Sequence, residues 1–223
     1  MTAAAAPGGS GAVRAGAGDV PQLAALHRAC LPGSILSALG DAGVRRYYAF
    51  ALGSPFEHVF LVRDPGAADR VAAGCVLTTA APTLLRRFAL HAPGALARAL
   101  AGGLAGSDPL RRRMLARLGE AVRGLADRAD RATWTERPPA APALPEVTQI
   151  FTDPAARGRG LGARLLGAAE AALRTAGHRV YCIHTLRYDN DAGIRFYRRE
   201  GFSQAGTTRS FGDHYLVMTK ELA

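Results

Sequence analysis

Two periods of hydrophobic and polar positions alternate along the chain, and each change of period marks an element. A short apolar run around Val13 reads as a strand. Asp19 then stands as a cap before Leu23, Leu26 and Cys30, spaced as on one helix face, and Pro32 ends that helix. A second helical pattern runs from about Ser34 to Leu52 through Ile35, Leu36, Leu39, Val44, Tyr47 and Tyr48. Gly40 and Gly43 weaken its middle, so it reads equally as two pieces. "HVFLVRD" and "VAAGCVLTT", separated by the turn residues "PGAAD", predict an antiparallel hairpin.

The stretch from Pro82 to Ala132 is helical in character, broken by Pro93, "GGLAGSDP" and Gly124, and "RPPAAPALP" then forms an extended link. The last 80 or so residues are the most regular. They predict a strand "EVTQIFT", a glycine turn, a helix Leu161 to Ala176 stopped by Gly177, and a strand "RVYCIHT". A helix Asp191 to Glu200 stopped by Gly201 follows, and "SQAGTTR" and "HYLVMTK" close the chain as strands. Strand, helix and strand over Glu146 to Thr185 make a parallel pair with a right-handed crossover the default. The expected fold class is therefore a mixed α/β domain of the α+β type, a single unit over residues 13–223 after a disordered lead-in at 1–12. A helical insertion occupies 82–132 and a proline-rich link 137–145.

Composition narrows the classes. At 223 residues the chain buries a sizeable core, and its apolar runs are too short for a membrane helix. The first residues lack a secretory-signal pattern, and Cys30, Cys75 and Cys182 give neither a disulfide framework nor metal-ligand spacing. A reducing cytoplasm is the simplest setting, with no metal. The formal net charge is +10, yet Lys220 is the single lysine among 28 basic residues, and glycine numbers 26. A bias toward arginine, alanine and glycine explains much of this, so spacing rather than count must carry any motif.

Spacing does so at "DPAARGRGLGARLL", residues 153–166. Gly158, Gly160 and Gly162 follow a strand and precede a helix with Leu161, Leu165, Ala169, Ala172 and Leu173 on one face. Glycine lets backbone amides approach an anion, the first helical turn adds partial positive charge, and Arg157 and Arg159 add formal charge. A P-loop reading fails for want of lysine, and a dinucleotide fingerprint is weakened because its third glycine falls on Ala163 or Leu165.

"RGRGLG" resembles the Arg/Gln-x-x-Gly-x-Gly/Ala signature of the GNAT superfamily of acetyl-CoA-dependent N-acyltransferases, with Arg157, Gly160 and Gly162 at its defined positions. "NDAGIRFYRREGF", residues 190–202, resembles the last block of that superfamily, with Gly193 where alanine is usual. The resemblance is specific over residues 144–220. It implies a mostly antiparallel sheet whose fourth and fifth strands splay apart, with the pantetheine arm of acetyl-CoA in the gap against backbone of Ile150, Phe151 and Thr152. The pyrophosphate is then expected on Arg157, Gly158, Arg159, Gly160, Leu161, Gly162 and Ala163, with Asn190 and Tyr197 also near the coenzyme. Tyr197 is implied as the acid that protonates the departing thiolate, against a plain packing role. Asn190 by itself reads as an N-cap. Glu146 stands where some members carry a catalytic base, although a solvated glutamate at a strand entrance is ordinary. His184 and His214 are alternatives, each also readable as structural, and Cys182 reads as core.

The implied activity is direct acetyl transfer to an amine, with a small molecule such as an amino sugar favoured as acceptor. A protein or peptide acceptor and a catalytically silent acyl-CoA-binding module remain alternatives. Residues 83–131 carry ten arginines against four carboxylates, which suits an acceptor lid, an acidic partner or a solvated face. Sparse aromatic residues argue against nucleic acid. A homodimer is compatible with the sequence.

Overall fold

The structure is a computed structural model that describes residues 11–94, 97, 143–210 and 213–223. Its frame is a seven-stranded sheet in the order β1-β2-β3-β4-β5-β7-β6. The strands are β1 (Val13–Arg14), β2 (Glu57–Asp64), β3 (Ala67–Thr78), β4 (Glu146–Thr152), β5 (Val180–Leu186), β6 (Ser203–Ser210) and β7 (Asp213–Glu221). Every neighbouring pair is antiparallel except β4 and β5. The expected mixed sheet with one parallel pair is thus the observed one.

Helices cover both faces. On one lie α1 (Val20–Cys30), α2 (Ile35–Ala38), α3 (Gly40–Gly53) and α4 (Ala81–His91); α5 (Leu161–Thr175) and α6 (Asp191–Arg199) lie on the other. The second helical pattern does divide: Gly40 takes φ +74°, which a side chain resists, and the chain turns there between α2 and α3. The strand period sorts side chains between two cores. Cys75, Leu77, Val147 and Ile183 point to Leu161, Leu165, Ala169 and Leu173 of α5, whereas Val59, Leu61, Val76 and Phe151 point to Leu23, Val44, Tyr47 and Phe88. β3 starts earlier than its apolar run, at Ala67, because the turn is only Pro65 and Gly66, fixed by the Gly66 amide donating to Asp64 (3.0 Å). Its first four residues are exposed and carry no apolar signal.

Two buried ionic clusters tie helices to the sheet. Glu170 of α5 accepts from the Tyr181 hydroxyl (2.8 Å) and the Lys220 ammonium (2.6 Å), which joins α5 to β5 and β7. Glu57 of β2 is buried; Arg87 of α4 donates to both its oxygens at 2.7 Å, and the Thr78 hydroxyl to one at 2.6 Å. Burial pushes the Glu57 carboxyl up, but the hydrogen bonds from Arg87, Ser54 and Thr78 outweigh it and leave its pKa below the usual value. The arginine plane also lies over Phe56 at 4.7 Å. The expected insertion begins with α4, and most of it, with most of the proline-rich link and lead-in, lies outside the described residues.

Removing one partner strands a buried charge. Arg87→Ala is expected to cost about 3 kcal/mol in denaturant unfolding, whereas Glu57→Leu with Arg87→Leu costs less than that single change.

Candidate active site

The site grows from the parallel pair. β4 and β5 share only Glu146 with Cys182 and Val147 with Ile183, supported by the Cys182 amide donating to the Pro145 carbonyl (2.9 Å). Beyond Val147 the strands part, while β4 stays paired with β3 as far as Thr152. A register shift in that second ladder, where Leu77 faces Val147 and Val76 faces Gln149, makes Thr148 the extra residue of a bulge at the start of the splay. Backbone of Thr148 to Thr152 therefore borders an opening on the β5 side. The Ile150 side chain packs toward the α5 core, and the buried Phe151 ring goes to the opposite face, edge-on to His27 (5.4 Å). The Ile150 and Phe151 side chains are committed to the two cores, so the edge this stretch offers to the opening is main chain.

At the end of β4 the Asp153 carboxylate accepts from the Ala155 amide (2.9 Å) and from Arg70 (2.9 Å), holding a single 3-10 turn, Pro154–Ala156. Gly158 (φ +77°) and Gly160 (φ +71°) then bend the chain into α5. The first helical bond runs from the Arg164 amide to the Gly160 carbonyl (3.1 Å), so the amides of Leu161, Gly162 and Ala163 have no helical acceptor. Arg157 and Arg159 are exposed beside them, and Arg159 lies 4.0 Å from Asp64, which Arg70 also contacts at 3.4 Å. A Cβ on Gly162 would stand 2.9 Å from the Phe196 ring, so this glycine lets α6 close on α5. Open amides at a helix N-terminus with flanking guanidiniums fit a pyrophosphate.

Tyr197 sits on α6, its ring against Phe196 (5.2 Å) and Phe202 (5.6 Å). Burial pushes its phenol well above the ordinary value, and the negative end of Cys75 adds to this. Cys75 is the β3 partner of Ile150, and Tyr197 packs against the same core that both join. Asn190 stands at the N-cap of α6 as expected, its carbonyl accepting from the Ile194 amide (3.0 Å), but its side chain makes no capping bond. Its amide instead donates to the Thr185 hydroxyl of β5 (2.7 Å), and a Cβ at residue 193 would lie 2.6 Å from its oxygen. Gly193 is thus fitted to Asn190, a reason that helix propensity does not reveal.

Glu146 and His184 meet at the base of the splay, with Nδ1 and Oε1 2.8 Å apart and both side chains largely buried. Burial lowers the imidazole pKa, but the hydrogen bond and charge of Glu146 raise it more, and the net shift is upward. His214 lies at the other end of the β5–β7 ladder, beside Tyr188 (6.0 Å). Cys182 is core as expected, and burial pushes the Cys75 thiol up to about 12. Among the described residues no helix is long and apolar enough to cross a membrane, and no cluster of ligands suits a metal ion.

Residues 115–204 match the family model described as an acetyltransferase (GNAT) domain. No curated protein matches the chain in sequence. Among solved structures, one described as an acetyltransferase is 20% identical with a TM-score of 0.56, covering 95% of this chain and 99% of that one. PaiA N-acetyltransferase from Thermoplasma acidophilum, in complex with coenzyme A, is 11% identical with a TM-score of 0.54, covering 94% and 97%. The ribosomal-protein-S18-alanine N-acetyltransferase from Escherichia coli is 13% identical with a TM-score of 0.53, covering 95% and 93%. At these identities the structural likeness establishes the fold. The fold is GNAT-like, and the acetyltransferase (GNAT) domain match covers residues 115–204 of the chain.

The Glu146–His184 pair carries its own signature. By NMR titration the His184 imidazole is expected above the ordinary value of about 6.5, and Glu146→Gln is expected to bring it down. The raised value adds stability that is complete below the unfolded-state pKa and is lost as pH rises through the folded-state pKa.

Proposed function

We propose that the protein transfers an acetyl group from acetyl-CoA directly to the amine of a small molecule. The observation that carries this reading is the early end of the β4–β5 ladder, which leaves an open strand edge between a carboxylate–imidazole pair at its base and a glycine turn with open helix amides at the far end of β4. Amides and arginines of residues 157–163 hold the pyrophosphate, and main chain of Ile150, Phe151 and Thr152 orients the pantetheine. Asn190, joined to Thr185, borders the same opening from β5. Acetyl-CoA supplies the acyl group already activated as a thioester.

An amine attacks only as the free base, so the acceptor side must take a proton. The Glu146–His184 pair supplies that group: the carboxylate orients the ring and balances the charge that forms on it. On the donor side Tyr197 protonates the leaving thiolate. Its raised pKa keeps the proton in place across the physiological range. Desolvation also raises the basicity of a departing thiolate in the same cleft, which favours its protonation.

A screen of small amines and amino sugars by CoA release, set against N-terminal peptides, tests the acceptor class; transfer confined to peptides would overturn it. Tyr197→Phe is expected to lower kcat by about 10-fold to 1,000-fold. Its Kd for CoA by calorimetry should match that of the parent, and full turnover would remove the acid role.

A further inference from the structure

The N-terminal end of β3 breaks its ladder with β2. Arg63 pairs with Val71 and Asp64 with Ala67, which leaves Ala68, Asp69 and Arg70 as extra residues without a partner in β2. Gln22 of α1 fills the gap: its side-chain amide donates to the Asp69 carbonyl (2.7 Å), and its side-chain oxygen accepts from the Val71 amide (2.8 Å). The backbone is thus held on both sides of Arg70. Such a bulge re-aims the side chain it carries. This one turns Arg70 toward the end of β4, where its Nη2 donates to Asp153 (2.9 Å) and lies 3.4 Å from Asp64.

The two carboxylates stand at the rim of the glycine turn, where negative charge works against an anion. Each has a local task that keeps it there. Asp64 accepts from the Gly66 amide and sets the β2–β3 turn, and Asp153 accepts from the Ala155 amide and sets the 3-10 turn. Their side chains are 16% and 23% exposed, so water and salt screen them only in part. Asp64 also lies 4.0 Å from Arg159, a looser contact than the one it makes with Arg70. Arg70 and Arg159 therefore compete for one acid, and Arg70 holds the better place.

We propose that Arg70 is a positioning residue for the coenzyme cradle: it occupies Asp64 and Asp153 and so leaves Arg159 to the phosphates. Without it, Asp64 draws Arg159 to itself, and both carboxylates repel an anion seated on the amides of Leu161, Gly162 and Ala163. Arg70 acts through these acids and touches no phosphate. That the anion is the coenzyme pyrophosphate rests on the proposed function.

The test needs no acceptor: the full chain is titrated calorimetrically with CoA and with dephospho-CoA, which lacks the 3′-phosphate but keeps the pyrophosphate. Arg70→Gln is expected to raise both Kd values alike, by about 3-fold to 10-fold at low ionic strength, and the loss shrinks as salt is added. Arg70→Lys, which keeps the charge, loses less. Asp64→Asn retains an oxygen for the Gly66 amide. It is expected to recover most of the loss in the Arg70→Gln background and to change the parent little, a coupling read by the double-mutant cycle. Unchanged affinity in Arg70→Gln would overturn the proposal. A loss confined to CoA and not relieved by Asp64→Asn would also overturn it, because Arg70 would then contact the 3′-phosphate directly. A parent chain that binds neither ligand would remove the coenzyme reading itself and the role of Arg70 with it.

Discussion

The structure turns on a ladder that stops early. Two residue pairs join β4 to β5, and after Val147 the strands part while the rest of the sheet continues. Backbone amides and carbonyls left without a ladder must find partners elsewhere, and an extended polar molecule is the partner an open strand edge suits best. Two features bracket that opening: the glycine turn beyond the end of β4 and the Glu146–His184 pair where the strands part. The antiparallel pairing on both flanks keeps the strands rigid enough for the gap to be a fixed shape.

The elements were largely legible because their signals are local. β4 appears as the seven residues "EVTQIFT", and α5 and α6 end at glycines with φ +79° and +89°. The glycine turn is legible from its placement between a strand and an amphipathic helix. The contacts that give these elements their roles were not legible, because they join residues far apart in sequence. Glu146 and His184 are 38 residues apart, and each alone reads as ordinary. Arg70 lies on a strand start with no apolar pattern, yet it reaches Asp153 across 83 residues. Asn190 is legible as the residue at the N-cap of the last helix, but the donation of its side-chain amide to the Thr185 hydroxyl is not.

Charge in this protein is organised from the inside by its scarce acids. The chain carries +10 in total, but buried or half-buried carboxylates fix the positions of the cations that matter. Glu57 seats Arg87, Glu170 seats Lys220, and Asp64 with Asp153 holds Arg70 beside the glycine turn. Arginine fits the first and last of these because its fork satisfies two acceptors at once. Arg157 and Arg159 are left exposed beside the glycine turn, the second within 4.0 Å of Asp64.

The glycines of residues 158–193 have a consequence for how this sequence can change. Gly158 and Gly160 stand in open space, and only their backbone angle resists a side chain; Gly162 and Gly193 have ordinary angles and no space. The first pair is guarded by torsion and the second by volume, so no single compensating shift relaxes both. Gly158 and Gly160 are therefore set against any side chain by their angles, whereas Gly162 and Gly193 admit a methyl group only if the Phe196 ring or the Asn190 side chain gives way. The turn is thus protected in two different ways along its length, and a neighbour's movement can relax only one of them.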